Sequence, residues 1–124
     1  ALQSAYGESP FFEYYADDLH PFFTKKWTYL YDFNLEITMK MCQLLDIEPN
    51  IQETTTYVNT DDLPPQMPQI TDLRDAIRPK HPLPDDTFTP RPYYQVYARK
   101  HGFIPNLSIL DLLMNMGNEA VLYL

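Results

Sequence analysis

The chain has 124 residues, with 17 acidic side chains against 9 basic ones and a formal charge of −8. This length suffices for one hydrophobic core, and 44% hydrophobic residues is a globular composition rather than a disordered one. We therefore interpret residues 1–124 as a single domain. Because a negative field repels phosphate groups, nucleic acid and anionic membrane surfaces are not expected as partners. The only cysteine, Cys42, excludes an internal disulfide.

Membrane and export signals are not found in the sequence. No apolar run reaches roughly 18 residues, and no basic segment precedes a shorter apolar one. We therefore expect a cytoplasmic protein without membrane insertion. Residues 1–6 (Ala-Leu-Gln-Ser-Ala-Tyr) resemble the middle of a helix, which is typical of a fragment of a longer protein.

Helical patterns dominate the first half of the chain. A first helix is predicted from the N-cap pair Ser9-Pro10, followed by apolar residues at helical spacing, and it is interrupted by Pro21. A longer helix is predicted over residues 28–46, and Pro49 marks its end. Its apolar stripe consists of Leu30, Phe33, Ile37, Met41, Leu44 and Leu45.

Residues 51–58 (Ile-Gln-Glu-Thr-Thr-Thr-Tyr-Val) are rich in β-branched side chains and predict a strand. Residues 120–123 are one weak second candidate. Because an isolated strand is not stable, we expect its partner from a missing N-terminal region or from a second subunit, which would make a homo-oligomer. The predicted fold is therefore mainly α with a minor β component (α+β), with the helices around one core.

Nine of the 12 prolines lie in the second half. Between residues 59 and 92 only one short helix is predicted, at residues 71–77, capped by Thr71 and ended by Pro79. So long a connection is uncommon in a compact domain and is usually functional or disordered. Here the prolines favour an ordered excursion over the core.

Two helices are predicted near the end of the chain. Residues 93–100 predict a short helix that ends at Gly102. A second helix follows, capped by Asn106 and closed by Gly117, with its leucines directed inward.

Three cations stand close together in the otherwise acidic proline-rich segment: Arg74, Arg78 and Lys80. Arginine can grip a phosphate or carboxylate through two hydrogen bonds, and lysine adds a point charge. The alternative is local pairing with the neighbouring aspartates. Shortly after them come Tyr93, Tyr94 and Gln95. Aromatic faces beside planar polar groups are typical of sites for sugars and nucleotide sugars, although anchoring in the core is an equally ordinary role for a tyrosine.

Acid and base candidates come from His101, Ser108 and Asp111, which have the residue types of a base, a nucleophile and an orienting acid. Ser108 lies in the first turn of a helix instead of on a strained elbow, so its simplest role is bonding to backbone N–H groups there. His101 and Asp111 then remain as the catalytic candidates.

Glu13, Asp17 and His20 would share one helix face, where two carboxylates and an imidazole are the residue types of a metal site. Pro21 biases His20 away from helical geometry, so we interpret these residues as a solvated acidic face and predict no metal. With only three glycines there is no phosphate-binding loop or dinucleotide motif, and no cofactor is expected.

Five segments together carry a family resemblance. They are residues 4–15 (Ser-Ala-Tyr-Gly-x-x-Pro-Phe-Phe-Glu-Tyr-Tyr), 31–34 (Tyr-Asp-Phe-Asn), 72–80 (Asp-Leu-Arg-x-x-Ile-x-Pro-Lys), 92–96 (Pro-Tyr-Tyr-Gln-Val) and 102–117 (Gly-Phe-Ile-Pro-Asn-Leu-Ser-Ile-Leu-Asp-Leu-Leu-x-Asn-x-Gly). They resemble the WbqC-like family of bacteria across nearly the whole chain. Members of that family are typically longer, so the resemblance implies that this chain is a C-terminal half.

The resemblance also implies a function. The family occurs with bacterial surface-polysaccharide gene sets, which implies a transferase acting on a nucleotide-linked or acylated sugar or amino sugar. The cations Arg74, Arg78 and Lys80 would then meet an anionic group, and Asp111 or His101 would act as the acid or base. The residues expected around the sugar are Tyr93, Tyr94, Gln95, Asn106 and Asn115. The alternative is a non-catalytic interaction module that uses the Tyr- and Pro-rich surface to dock a protein.

Overall fold

The structure, a computed structural model, describes residues 1–64, 70–78, 80 and 83–124. The chain divides into two compact units, one formed by residues 1–49 with 90–124 and the other by residues 50–89. The α-helices are α1 (Leu2–Tyr6), α2 (Phe12–Leu19), α3 (Pro21–Thr24), α4 (Leu30–Leu44), α5 (Ala98–His101) and α6 (Ile109–Met116). Two 3₁₀ helices are Thr60–Asp62 and Gly117–Tyr123. Within the described ranges, none of the helices has the length and apolar character needed to cross a membrane.

The core of the first unit is built on α6. This helix packs against α2 and against the 3₁₀ helix that follows it. A backbone hydrogen bond of 3.0 Å, from Phe11 N to Met114 O, ties the start of α2 to the middle of α6. The buried apolar side chains are Tyr15, Leu19, Leu45, Leu112, Leu113, Met114 and Ala120. Burial of each large side chain of this kind contributes about 1.5–3 kcal/mol, so α6, which supplies Leu112, Leu113 and Met114, contributes strongly to the stability of this unit.

Both ends of α6 are defined by local chemistry. Ser108 is the N-cap, and its Oγ accepts a hydrogen bond of 3.2 Å from Leu110 N. The prediction that Asn106 caps this helix is therefore wrong; Asn106 lies earlier, at a positive φ of 55°. Gly117 follows the last helical residue with φ 60°, as expected for a glycine that ends a helix.

Replacing Gly117 by alanine is expected to lower the free energy of unfolding by about 2 kcal/mol, through backbone strain and steric overlap. An added Cβ would lie 2.6 Å from Phe11 Cε1. Gly102 is the matched control, because it also has a positive φ, 71°, but has nothing within 4 Å of an added Cβ. Urea unfolding of both variants should show about 1 kcal/mol less destabilisation for Gly102→Ala. Equal losses would mean that Phe11 moves aside without cost.

The predicted β component is wrong for the described part of the chain, although the mainly helical prediction is confirmed. Residues 51–58 contain no strand, and they are exposed apart from the half-buried Val58. Residues 120–123 belong to a 3₁₀ helix instead. A β-branched composition only favours extended backbone, and a strand also needs a neighbour that takes up its hydrogen bonds. The described residues supply no such neighbour.

Other helix predictions hold in part. The long helix is present as α4, but none of its residues is buried, and Leu30 at its start is largely exposed. Met41 and Leu44 do pack against the core of the first unit. His20 has helical dihedral angles between α2 and α3, contrary to the expected effect of Pro21, which begins α3 at its N-terminal position.

In the second unit, residues 50–89, none of the residues that the structure describes is buried. Its described structure consists of turns and the short 3₁₀ helix Thr60–Asp62, whose N-cap is Asn59. The predicted helix at residues 71–77 is a turn instead. Pro79, predicted to end that helix, lies outside the described residues. Without buried apolar side chains this segment has little to stabilise a helix against solvent.

Candidate functional site

A buried carboxylate in the first turn of α6 organises the candidate site. Asp111 is 6% exposed, and its Oδ2 accepts hydrogen bonds from Tyr93 Oη at 2.6 Å and Gln95 Nε2 at 2.9 Å. One turn further along α6, Asn115 Nδ2 donates to the backbone oxygen of Asp111 at 2.8 Å and to its Oδ1 at 3.4 Å. We call Tyr93, Gln95, Asp111 and Asn115 the polar cluster. Buried carboxylates require such donors, because leaving them unpaired costs several kcal/mol.

The two amides of the polar cluster attach the neighbouring loops to α6. Gln95 Oε1 accepts from Ile104 N at 2.9 Å, and Gln95 Nε2 donates to Ile104 O at 2.9 Å. Asn115 Oδ1 accepts from Val96 N at 3.0 Å. Both amides thus use their donors and acceptors within the chain. They position the site and have no strong donor left for a ligand.

Asp111 contributes to raised pKa values at two tyrosines, Tyr93 and Tyr6. Burial, and next its hydrogen bond to Asp111, raises the pKa of Tyr93 to about 12. Burial also raises the pKa of Tyr6, followed by the negative charge of Asp111 and a hydrogen bond to it. Tyr93 is held further by edge-on packing against Phe103, with ring centroids 5.2 Å apart. Tyr6 reaches the cluster from α1, at the opposite end of the sequence.

Raising the pH from 10 to 12 is expected to reduce the stability of the chain. The pKa of Tyr93 rises from its usual 10.0 to about 12 on folding, so in this window the unfolded chain binds fewer protons than the folded one. The stability linked to Tyr93 is complete below pH 10 and is lost as the pH approaches 12. The loss is about 1 kcal/mol after allowance for solvent screening. Urea unfolding at pH 9 and 11.5 should show a smaller loss for Tyr93→Phe; an unchanged loss would contradict this assignment.

The polar cluster borders a cavity of about 190 Å³. Four predicted site residues line it: Gln95, His101, Asp111 and Asn115. Tyr6 and Tyr97 also line it, although the sequence patterns assign no site role to either. The remaining lining residues are Ala5, Val96, Gly102, Ile104 and Leu107. The structure therefore brings the two catalytic candidates to one cavity, and the only available signal for Tyr6 was its place in the Ser-Ala-Tyr-Gly segment.

Tyr97 brings a further acidic group near this cavity. Burial raises the pKa of its hydroxyl, followed by the negative charge of Glu8 and a hydrogen bond between them.

Two other predicted residues do not line the cavity. Tyr94 and Asn106 are both exposed. Tyr93 contributes through its hydrogen bond to Asp111 rather than as part of the cavity wall.

The predicted cations belong to the second unit, where aspartates hold two of them. Arg74 Nε donates to Asp72 Oδ1 at 2.8 Å, and a second guanidinium nitrogen bonds to the other carboxylate oxygen. This pairing lowers the pKa of Asp72 to about 2. Arg78 lies 3.9 Å from the carboxylate of Asp75. Local pairing, the alternative raised from sequence, is therefore what these arginines make, and Lys80 is exposed.

Metal ligands do not gather in the described ranges, where no group of three His, Cys, Asp or Glu side chains could hold an ion. This includes the acidic face formed by Glu13, Asp17 and His20. The chemistry available at the cavity is that of a carboxylate, an imidazole and phenols.

The first unit is therefore helical, and its polar cluster, centred on the buried carboxylate of Asp111, borders a cavity. The family model described as the WbqC-like protein family matches residues 1–78 and 86–123, so the chain belongs to that family. The resemblance inferred from the motifs is thereby confirmed. No match was found among curated proteins, and none among solved structures.

Proposed function

We propose that the chain belongs to a cytoplasmic bacterial transferase of surface-polysaccharide biosynthesis, and that the cavity beside α6 holds part of its sugar or amino-sugar ligand. One observation carries this proposal: His101 and Asp111, on different elements, line the same cavity. Convergence of an imidazole and a buried carboxylate on a concave site is what acid–base chemistry needs. The family's link to polysaccharide gene sets supplies the substrate class.

The two residues would have different roles. Tyr93 and Gln95 donate hydrogen bonds to Asp111 and hold its carboxylate in one position. A carboxylate fixed in this way is suited to orienting a ligand. His101 is exposed at the end of α5 and is the natural proton acceptor. As a sugar hydroxyl or amine bonds to the transferred group, His101 would take its proton. The nucleotide or acyl carrier of the donor would leave with the electron pair of the broken bond.

The size of the cavity limits what it can take. Pockets for drug-sized ligands measure roughly 300–1,000 Å³, and this cavity is smaller, at about 190 Å³. It therefore accommodates one end of a ligand, not a complete nucleotide sugar. The proposed role of Arg74, Arg78 and Lys80 in meeting an anionic group would require the two arginines to exchange their aspartate partners for that group.

The test is saturation-transfer NMR with glucosamine and UDP-N-acetylglucosamine as probes. Leu107 lines the cavity, so Leu107→Trp should fill it and reduce the transfer signal of a bound probe at least fivefold. Leu122→Trp is the matched control, because Leu122 is exposed and does not line the cavity. Signals of equal strength in both variants, or no signal from the parent chain, would contradict the proposal.

A second candidate function is a non-catalytic docking module, and the second unit favours it. Ile77 is 93% exposed and Tyr57 is 81% exposed, with other apolar side chains exposed nearby in the sequence. Apolar side chains that are exposed together, rather than singly, are typical of surfaces that another molecule covers. On this view the probes above would bind neither the parent chain nor its variants.

A further inference from the structure

We infer that the ligand group entering the cavity is a primary amine in its ammonium form, rather than a phosphate or carboxylate. The inference rests on the proposed function, because it takes the cavity as the ligand site. It depends on two properties of the cavity wall: the sign of its charge and the kind of hydrogen-bonding capacity that it has left.

The charge of the wall is negative. Asp111 is a buried carboxylate that faces the cavity, and no lysine or arginine lines it in the part of the chain that the structure describes. Glu8 adds a second carboxylate beside the lining residue Tyr97. His101 is the one lining side chain that can carry a positive charge. Such a wall repels an anionic group and attracts a cationic one.

The strong donors around the cavity are already used within the chain. The two amide hydrogens of Gln95 go to Ile104 O and Asp111 Oδ2. Asn115 Nδ2 donates to Asp111, as does the hydroxyl of Tyr93. The hydroxyls of Tyr6 and Tyr97 lie beside carboxylates, those of Asp111 and Glu8 respectively, to which they can donate. A phosphate or carboxylate needs several donors, and the lining side chain that adds one is His101, through its ring N–H.

Acceptors, by contrast, remain available. A phenol that donates its proton keeps its oxygen lone pairs, so Tyr6 and Tyr97 can each accept a hydrogen bond. The two oxygens of Asp111 differ: Oδ2 accepts two short hydrogen bonds, whereas Oδ1 accepts a long one of 3.4 Å from Asn115. An ammonium group has three donors and no acceptor, and thus complements this wall. The hydroxyl of a neutral sugar would satisfy fewer of these acceptors.

The test compares three hexoses on the unaltered chain by isothermal titration at pH 7: glucosamine, glucose and glucose 6-phosphate. We expect glucosamine to bind about tenfold more tightly than glucose, and glucose 6-phosphate to bind most weakly. Cyclohexylamine and cyclohexanol form a second pair that presents the same difference without a sugar. The amine should again bind more tightly.

A variant pair assigns the preference to the carboxylate. Asp111→Asn should reduce the ratio of glucosamine to glucose affinity to about one. Asp17→Asn removes the same charge from an exposed position of α2 and should leave the ratio unchanged. If Asp111→Asn fails to fold, the hexose series on the parent chain still decides the question.

The outcomes separate the inference from the proposed function. Glucose or glucose 6-phosphate binding as tightly as glucosamine would overturn the inference and leave a sugar site in place. Tighter binding of cyclohexylamine than cyclohexanol, with no hexose bound, would support the amine preference and overturn the sugar ligand. No binding by any of the five probes would overturn both.

Discussion

Asp111→Ala is expected to lower the free energy of unfolding by about 3 kcal/mol, because it removes the acceptor on which the polar cluster converges. Tyr93 Oη loses its partner at 2.6 Å, and Gln95 Nε2 loses one of its two strong bonds. Hydrogen bonds to a charged group contribute about 1.5–3 kcal/mol each, and part of this is offset since the carboxylate need no longer be desolvated. Urea unfolding with circular dichroism measures the loss.

Asp111→Asn is the matched variant for this prediction. It keeps the shape of the side chain, and its amide oxygen can replace Oδ2 and accept from Tyr93 and Gln95, but its amide nitrogen then replaces Oδ1 and faces Asn115 Nδ2, which is also a donor. We expect a loss of about 1 kcal/mol, between those of the parent and Asp111→Ala. If Asp111→Ala were as stable as the parent, burial of the carboxylate would cost as much as its hydrogen bonds contribute, and the cluster would not stabilise the unit.

Leu113→Ala is expected to destabilise the first unit by about 3 kcal/mol, through lost burial and the space left behind. Leu113 is 1% exposed and belongs to the central cluster of α6. Leu122→Ala makes the same change at a position that is 64% exposed, and its loss should stay below about 0.5 kcal/mol. Thermal unfolding of both variants checks the difference. A small loss at Leu113 would contradict the placement of the core on α6.

The helices of the first unit could be predicted well where apolar spacing and end signals agree. In α6, leucines at helical spacing precede a glycine that can adopt positive φ, so the helix and its end could be predicted, whereas the cap was assigned to Asn106 instead of Ser108. The strand at residues 51–58 could not be judged in the same way. Its composition favours extended backbone, but its existence depends on a neighbour that local sequence does not reveal. The long helix α4 was recognised, whereas its lack of buried residues was not.

The candidate site was predictable residue by residue, but its assembly was not. His101, Gln95, Asp111 and Asn115 could be selected by chemical type, and the structure brings these four to one cavity. The contribution of Tyr6 depends on contact between α1 and α6, the two ends of the chain, which no local pattern encodes. The pairing of Arg74, by contrast, could be predicted from local sequence, because Asp72 lies two residues before it and accepts a hydrogen bond from its guanidinium.

The amides of the polar cluster also changed role between sequence and structure. Gln95 was expected to contact a sugar, yet both ends of its carboxamide bond to the chain. A side chain that pairs with the backbone of Ile104 in two places fixes the loop that contains it. Its contribution to binding is therefore to hold the cavity wall in place, while the phenols and the carboxylate present the free acceptors.

The central claim is that the polar cluster and the cavity form one ligand site, and side-chain amide NMR tests it most directly. In a titration with glucosamine, the ¹⁵N-labelled side-chain amides of Gln95 and Asn115 should shift together, with the same midpoint as the backbone amides of Val96 and Ile104. Val96 N bonds to Asn115 and Ile104 N bonds to Gln95, and Asp111 connects the two pairs. Shifts confined to other parts of the chain, with all four groups unmoved at saturation, would contradict the claim.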